Sequence, residues 1–174
     1  GFAGGNNVGI SFGLSCGVNY FWLLNNDTVV EPDALRHLIA RMQANPQIGI
    51  CGSTIRLYYA REQIQALGGG YYVRWLGLPW HYGRFCSHAG SFEYEQNDAE
   101  SRMNYVEGAS MLVSRQFVEA VGLLCEDYFL YFEEVDWAIR GKGIFKLGYA
   151  SQSVVYHKVG SSIGTSSNPG KKSL

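Results

Sequence analysis

The chain has 174 residues, 47% hydrophobic and 17% charged, a globular composition that excludes a disordered polymer and fills about one domain. Fourteen Lys plus Arg against fifteen Asp plus Glu leave a net charge of −1, which excludes nucleic-acid binding driven by bulk electrostatics. The cysteines Cys16, Cys51, Cys86 and Cys125 contain no CxxC pair. They fit neither a zinc site nor a dense disulfide framework, and they read as reduced thiols of a cytoplasmic chain.

In chain order, residues 4–17 predict a helix, weakened by its glycines. Residues 18–24, VNYFWLL, form an apolar run that predicts a strand buried on both faces of a parallel sheet. NNDT follows at 25–28, where that strand ends. Pro32 opens a helix in which Leu35, Leu38, Ile39 and Met42 recur at i, i+3, i+4 and i+7. Asn45–Pro46 stops it. A second strand covers 48–57, and strand, helix and strand in that order predict a right-handed βαβ crossover. Residues 60–103 carry Gly68, Gly69 and Gly70, then YYVRWLGLPWHYGRF and an acidic stretch. They show no clear period and read as a long irregular segment of the kind that carries function. A strand over 105–113 leads to a helix capped by Ser114 and ended by Gly122. The aromatic run YFLYF at 128–132 precedes a helix from Glu133 to Arg140, and one or two strands cover 145–156. Residues 160–174 read as a polar tail. Neither repeat nor linker divides residues 1–174, so they read as one domain. The chain opens on GFAGGNNVGI without a Met, and both ends read as cut, so a fragment is expected.

Three places concentrate groups able to do chemistry. In open α/β sheets, ligands sit beyond the carboxyl ends of the strands. Asn25, Asn26 and Asp27 stand at such an end, where one carboxylate can hold a hard divalent cation and, through it, a diphosphate; taken alone, these residue types favour an Asx turn. GFAGGNN precedes a helix, and a helix N-terminus attracts anions. It matches neither the Walker A nor the GxGxxG pattern, and close packing accounts for its glycines too. Glu133, Glu134 and Asp136 crowd the first turn of the helix that follows the aromatic run. Acids there complement the helix dipole, and that dipole predicts a carboxylate ionised at neutral pH and ready to accept a proton. His157 ends the strand SVVYH on the same rim as NNDT, as a structural residue or as a nitrogen ligand for Mn²⁺ or Mg²⁺.

The succession GFAGGNNVGI, LLNNDT, VEGASMLVSRQF, VGLLCEDYFLYFEEVDWAIRGKG and VVYHKVGSS resembles the family 2 glycosyltransferases, in particular their rhamnosyltransferase-like bacterial members. The resemblance runs from residue 1 to about 162. It implies a GT-A fold: α/β, with a Rossmann-like, mainly parallel sheet flanked by helices, here truncated at the N-terminus. It implies inverting transfer of a sugar, rhamnose among the options, from a nucleotide-diphosphate donor. The acceptor is a glycan or lipid-linked molecule of cell-surface polysaccharide synthesis, reached at the inner face of the plasma membrane, with peripheral membrane contact in the full-length protein. By resemblance, Asp27 and His157 hold Mg²⁺ or Mn²⁺. Glu134 is the catalytic base, with Glu133 and Asp136 as rivals. Gly4, Gly5, Asn6, Asn7, Asn25 and Asn26 lie by the donor, and Glu107 and Gly108 by the acceptor. Trp75 and Trp80, with Tyr71, Tyr72 and Tyr82, offer aromatic faces on which an acceptor sugar can pack. Two alternatives stay open: a catalytically incompetent nucleotide- or glycan-binding domain, and a nucleotidyltransferase.

Overall fold

A computed structural model describes residues 1–73, 75–83, 92–128 and 132–159, with the side chains of 92–95 excepted. The elements run α1 (Phe2–Ser15), β1 (Tyr20–Leu24), β2 (Thr28–Val30), α2 (Ala34–Ala44), β3 (Ile48–Leu57), β4 (Ala60–Leu67) and β5 (Gly69–Val73). Then come β6 (Leu78–His81), α3 (Phe92–Arg102), β7 (Tyr105–Val106), β8 (Ser110–Ser114), α4 (Arg115–Val121), α5 (Glu133–Gly141) and β9 (Lys146–His157). The expected polar tail at 160–174 lies outside the described residues.

The nine strands of the described residues join one sheet centred on β3. β9 runs parallel to β3 along its length. On the other edge β8 pairs antiparallel over Ile50–Gly52, and β4 takes over from Thr54. β1 lies beyond β8, β2 beyond β9, and β5 beyond β4, with β6 and β7 on β5. Among the described residues β3–β9 is the one parallel ladder between named strands. The expected mainly parallel, Rossmann-like sheet of a GT-A fold is therefore overturned: the protein is mixed α/β with a mostly antiparallel sheet. The cause is β8. β1 and β3 do run the same way, because each is antiparallel to β8, but a strand from 110–114 separates them.

The irregular reading of 60–103 also fails, because β4, β5, β6 and α3 occupy most of that span. Its glycines hide the pattern and also make it possible. Gly68 has φ +77°, and its carbonyl oxygen fills the place a Cβ on Gly52 would take. A Cβ on Gly69 would strike the Tyr105 carbonyl oxygen. Backbone packs on backbone here, which only glycine permits.

The other elements follow their local signals. Asn45 is the C-cap of α2. The Ser114 hydroxyl accepts from Phe117 N at 3.1 Å to cap α4, and Gly122 ends that helix at φ +90°. The core closes around Phe117, whose ring meets Trp137 of α5 edge-on at 5.3 Å and Phe145 at 5.2 Å. Trp137 also donates to the Gly122 carbonyl at 2.8 Å, which ties α5 to the end of α4. Among the described residues no helix is long and apolar enough to cross a membrane.

Helix α1 is held by Asn7. Its amide nitrogen donates to Leu124 O (2.9 Å) and Glu126 Oε1 (2.8 Å), and its oxygen accepts from Leu124 N (3.0 Å). Truncation leaves both buried backbone groups of Leu124 without these partners, at about 1–3 kcal/mol for each unsatisfied group. Asn7→Ala is expected to lower the unfolding free energy by about 2–4 kcal/mol, read in urea as a lower midpoint at unchanged slope.

Candidate active site

Four structural features meet at one end of the sheet. Residues 25–27 leave the end of β1, and the Asn25 N–H donates to Ala109 O at 3.1 Å. β2 pairs antiparallel with the end of β9, Thr28 opposite His157, and the Lys158 N–H donates to Asp27 O at 2.9 Å. This register sets Asp27 Oδ1 3.1 Å from His157 Nε2. Both side chains are largely buried, each about 11% exposed. The opposite nitrogen of His157, Nδ1, lies 2.9 Å from Gln65 Oε1.

Gln65 leads to the second feature. Its Nε2 donates to Glu107 Oε1 at 3.4 Å, and Glu107 Oε2 lies 2.8 Å from His81 Nδ1. Glu107 ends up there because β7 and β8 are separate strands. Its N–H donates to Gly68 O at 3.1 Å, in the break between them. An unbroken chain of polar contacts thus runs Asp27, His157, Gln65, Glu107, His81.

The third feature is the N-terminus of α5. Its N-cap, Phe132, has φ +73°, a left-handed conformation that costs a bulky residue about 1–3 kcal/mol and gathers at functional sites. Glu134 follows in the first turn, and its carboxyl is pushed up to about 7. Burial is the largest cause, and the negative charges of Glu107 and Glu133 add to it. The bond to its own backbone N–H and the nearby His81 pull the other way without prevailing. The expectation that the helix dipole keeps this carboxyl fully ionised at neutral pH is corrected: desolvation outweighs the dipole.

The fourth feature is Gly108. A Cβ on Gly108 would sit 3.8 Å from Glu134 Cδ and 3.9 Å from the ring of Phe2. Gly108 therefore stands within van der Waals reach of both the Glu134 carboxyl and the start of α1.

The remaining expected site residues fall elsewhere or serve other ends. Glu133 is buried, and its Oε1 finds no hydrogen-bond partner among the described residues. Asp136 binds Arg140 at 2.8 Å, and that guanidinium also donates to Val121 O and Leu123 O, so Asp136 braces the α4–α5 connection. Asn6 donates within α1 to Phe2 O, and Asn7 is the anchor described above. A Cβ on Gly4 would meet the Glu126 carboxylate, whereas the one on Gly5 would project into open space. Asn26 stands beside Asp27 in the turn after β1. Trp75 and Trp80 are 84% and 75% exposed. The pleat sets Trp80 on the face opposite His81, so it does not share the side of β6 that meets Glu107. Tyr72 touches Phe132 instead, ring centroids 5.4 Å apart. Gln65 and His81 carry no motif that marks them in the sequence. Only pairing with distant strands brings them in.

As a metal site, the Asp27–His157 pair offers one carboxylate and one imidazole. Among the described residues no group of three His, Cys, Asp or Glu side chains is arranged to hold an ion. The two side chains bring one carboxylate oxygen and one imidazole nitrogen, both ligand types for a divalent cation, within 3.1 Å of each other. Gln65 Oε1 faces Nδ1 at 2.9 Å, which leaves Nε2 as the ring nitrogen turned toward Asp27 Oδ1. Divalent ions held by few protein ligands complete their shells with water and substrate phosphates.

No protein-family model matches the chain, and no curated protein matches it.

The Glu134 shift has a consequence for stability. A carboxyl whose folded-state pKa exceeds its unfolded value of 4.5 binds more protons in the folded state between the two values. Stability therefore falls as pH rises from about 4.5 through about 7 and is lowest above that window. Glu134→Gln removes this dependence. The variant is expected to gain roughly 2–3 kcal/mol over the parent at pH 8 and little at pH 4, measured by urea denaturation across pH.

Proposed function

We propose that the chain catalyses inverting, metal-assisted transfer of a sugar from a nucleotide-diphosphate donor to a hydroxyl of a glycan or lipid-linked acceptor. One observation carries this reading. The polar string through Gln65 joins a carboxylate–imidazole pair suited to a divalent cation to Glu107, the neighbour of a buried carboxyl that titrates near 7.

Glu134 acts as the general base. A base with a pKa near the working pH combines a usable ionised fraction with a real driving force for taking a proton. The acceptor hydroxyl approaches over Gly108, gives its proton to Glu134, and its oxygen forms a bond to the anomeric carbon. The bond from that carbon to the diphosphate breaks on the opposite side, and the configuration inverts. Asp27 and His157 would hold Mg²⁺ or Mn²⁺, which when bound supplies positive charge to the diphosphate. His81, paired with Glu107, offsets some of the negative charge around Glu134.

Two variants test this. Glu134→Gln is expected to cut transfer by about 10²–10⁴-fold while donor binding survives, and the rate of the parent is expected to rise with pH through about 7. Asp27→Ala is expected to abolish Mn²⁺-dependent binding of UDP and dTDP in calorimetry. Undiminished transfer by Glu134→Gln removes the base assignment. Nucleotide binding without transfer in any tested acceptor mixture leaves a binding domain instead.

A further inference from the structure

We infer that Gln65 is a positioning residue: its side-chain amide fixes the hydrogen of His157 on Nδ1 and so presents Nε2, together with Asp27, to a divalent cation. The inference rests on the reading of Asp27 and His157 as cation ligands.

Two independent observations support it. The first is the backbone. In the β3–β4 ladder Ile55 pairs with Ala66 and the next residue, Arg56, pairs with Ile64. Gln65 is skipped, so it is the extra residue of a β-bulge. Bulges re-aim side chains and recur beside active sites. Ile64 and Ala66 on either side stay buried, so the bulge costs the core nothing while it redirects one polar side chain.

The second is the sense of the hydrogen bonds. A carboxylate only accepts, so Glu107 binds the NH₂ end of the Gln65 amide, at 3.4 Å. The amide oxygen then faces His157 Nδ1 at 2.9 Å, and only a hydrogen on Nδ1 satisfies it. An imidazole that ligates a metal nearly always donates its other N–H to such a partner, and loss of that partner costs 10–100-fold in metal affinity. Glu107 thus orients Gln65, and Gln65 orients His157, across the end of β3.

The test is made on the whole chain with ¹⁵N-labelled histidine. Two-bond ¹H–¹⁵N spectra report which ring nitrogen of His157 carries hydrogen, and calorimetry with Mn²⁺ alone reports affinity. Gln65→Leu keeps a branched side chain without the amide. It is expected to lose the hydrogen on Nδ1 in favour of Nε2–H donated to Asp27, and to bind Mn²⁺ about 10–100-fold more weakly. Gln65→Glu keeps an acceptor at Nδ1 and is expected to retain the hydrogen there. A hydrogen that stays on Nδ1 in Gln65→Leu overturns the inference, as does unchanged Mn²⁺ affinity in that variant. If the parent chain binds no Mn²⁺, the metal assignment of the proposed function fails, and the ring hydrogen of His157 still decides the role of Gln65.

Discussion

Strand β3 is the constraint on which everything else depends. Its first eight residues are buried, and it bonds to three strands, because β8 leaves its edge after Gly52 and β4 arrives at Thr54. That exchange happens in crowded space. The Gly68 N–H donates to Ser53 O, and the Gly68 carbonyl accepts from the N–H of Glu107. A side chain on Gly52 would strike that same carbonyl. One peptide junction therefore sends β4 along β3, carrying Gln65, and holds Glu107 where β7 gives way to β8. On the opposite edge β9 follows β3 to its last residue, Leu57 opposite His157. The candidate site sits where these three neighbours of β3 finish or part.

Much of the local structure was legible in the sequence. The strand at 48–57, the Ser114 cap, the Gly122 stop and the helix from Glu133 depend on residues close in the chain, and the structure reproduces them. Pairing was not legible. Short apolar runs such as YFWLL and SMLVS fit a parallel or an antiparallel neighbour equally well. Nothing in them announces that 110–114 slides between β1 and β3. The region after Tyr58 misled for a related reason. In AREQIQAL the buried residues come only at the end, after three exposed polar ones, and the following glycines look like a loop although backbone packs closely on backbone there.

The residues brought together at the site divide on the same line. Asp27 and His157 were readable as neighbours on one rim, since each follows a strand end. The mostly antiparallel sheet does not disturb them, because β1 and β9 both run with β3. Gln65 and His81 come from the misread region and enter only through cross-strand contacts. The charge state of Glu134 was misjudged because sequence shows the helix N-terminus but not the burial that opposes it. A dipole acting at the surface contributes about 0.3–1 kcal/mol, less than the 1.36 kcal/mol that a single pKa unit represents.

The departures from local rules collect in one place. Phe132 holds a left-handed backbone, Glu133 is buried with one oxygen unpartnered among the described residues, and Glu134 is desolvated beside two other carboxyls. Each opposes folding. The same helix is fastened from behind by Trp137 in the core and by the Asp136–Arg140 pair, whose guanidinium reaches two carbonyls of the preceding connection. A first turn that resists its own conformation is thus held by a second turn that packs well. Sequences consistent across levels tend to break that consistency at functional positions and offset it nearby. Acids at a helix start need no site to explain them. A strained N-cap and desolvated carboxyls are not explained by the dipole, and they stand on the turn that adjoins the polar string from Asp27 to His81.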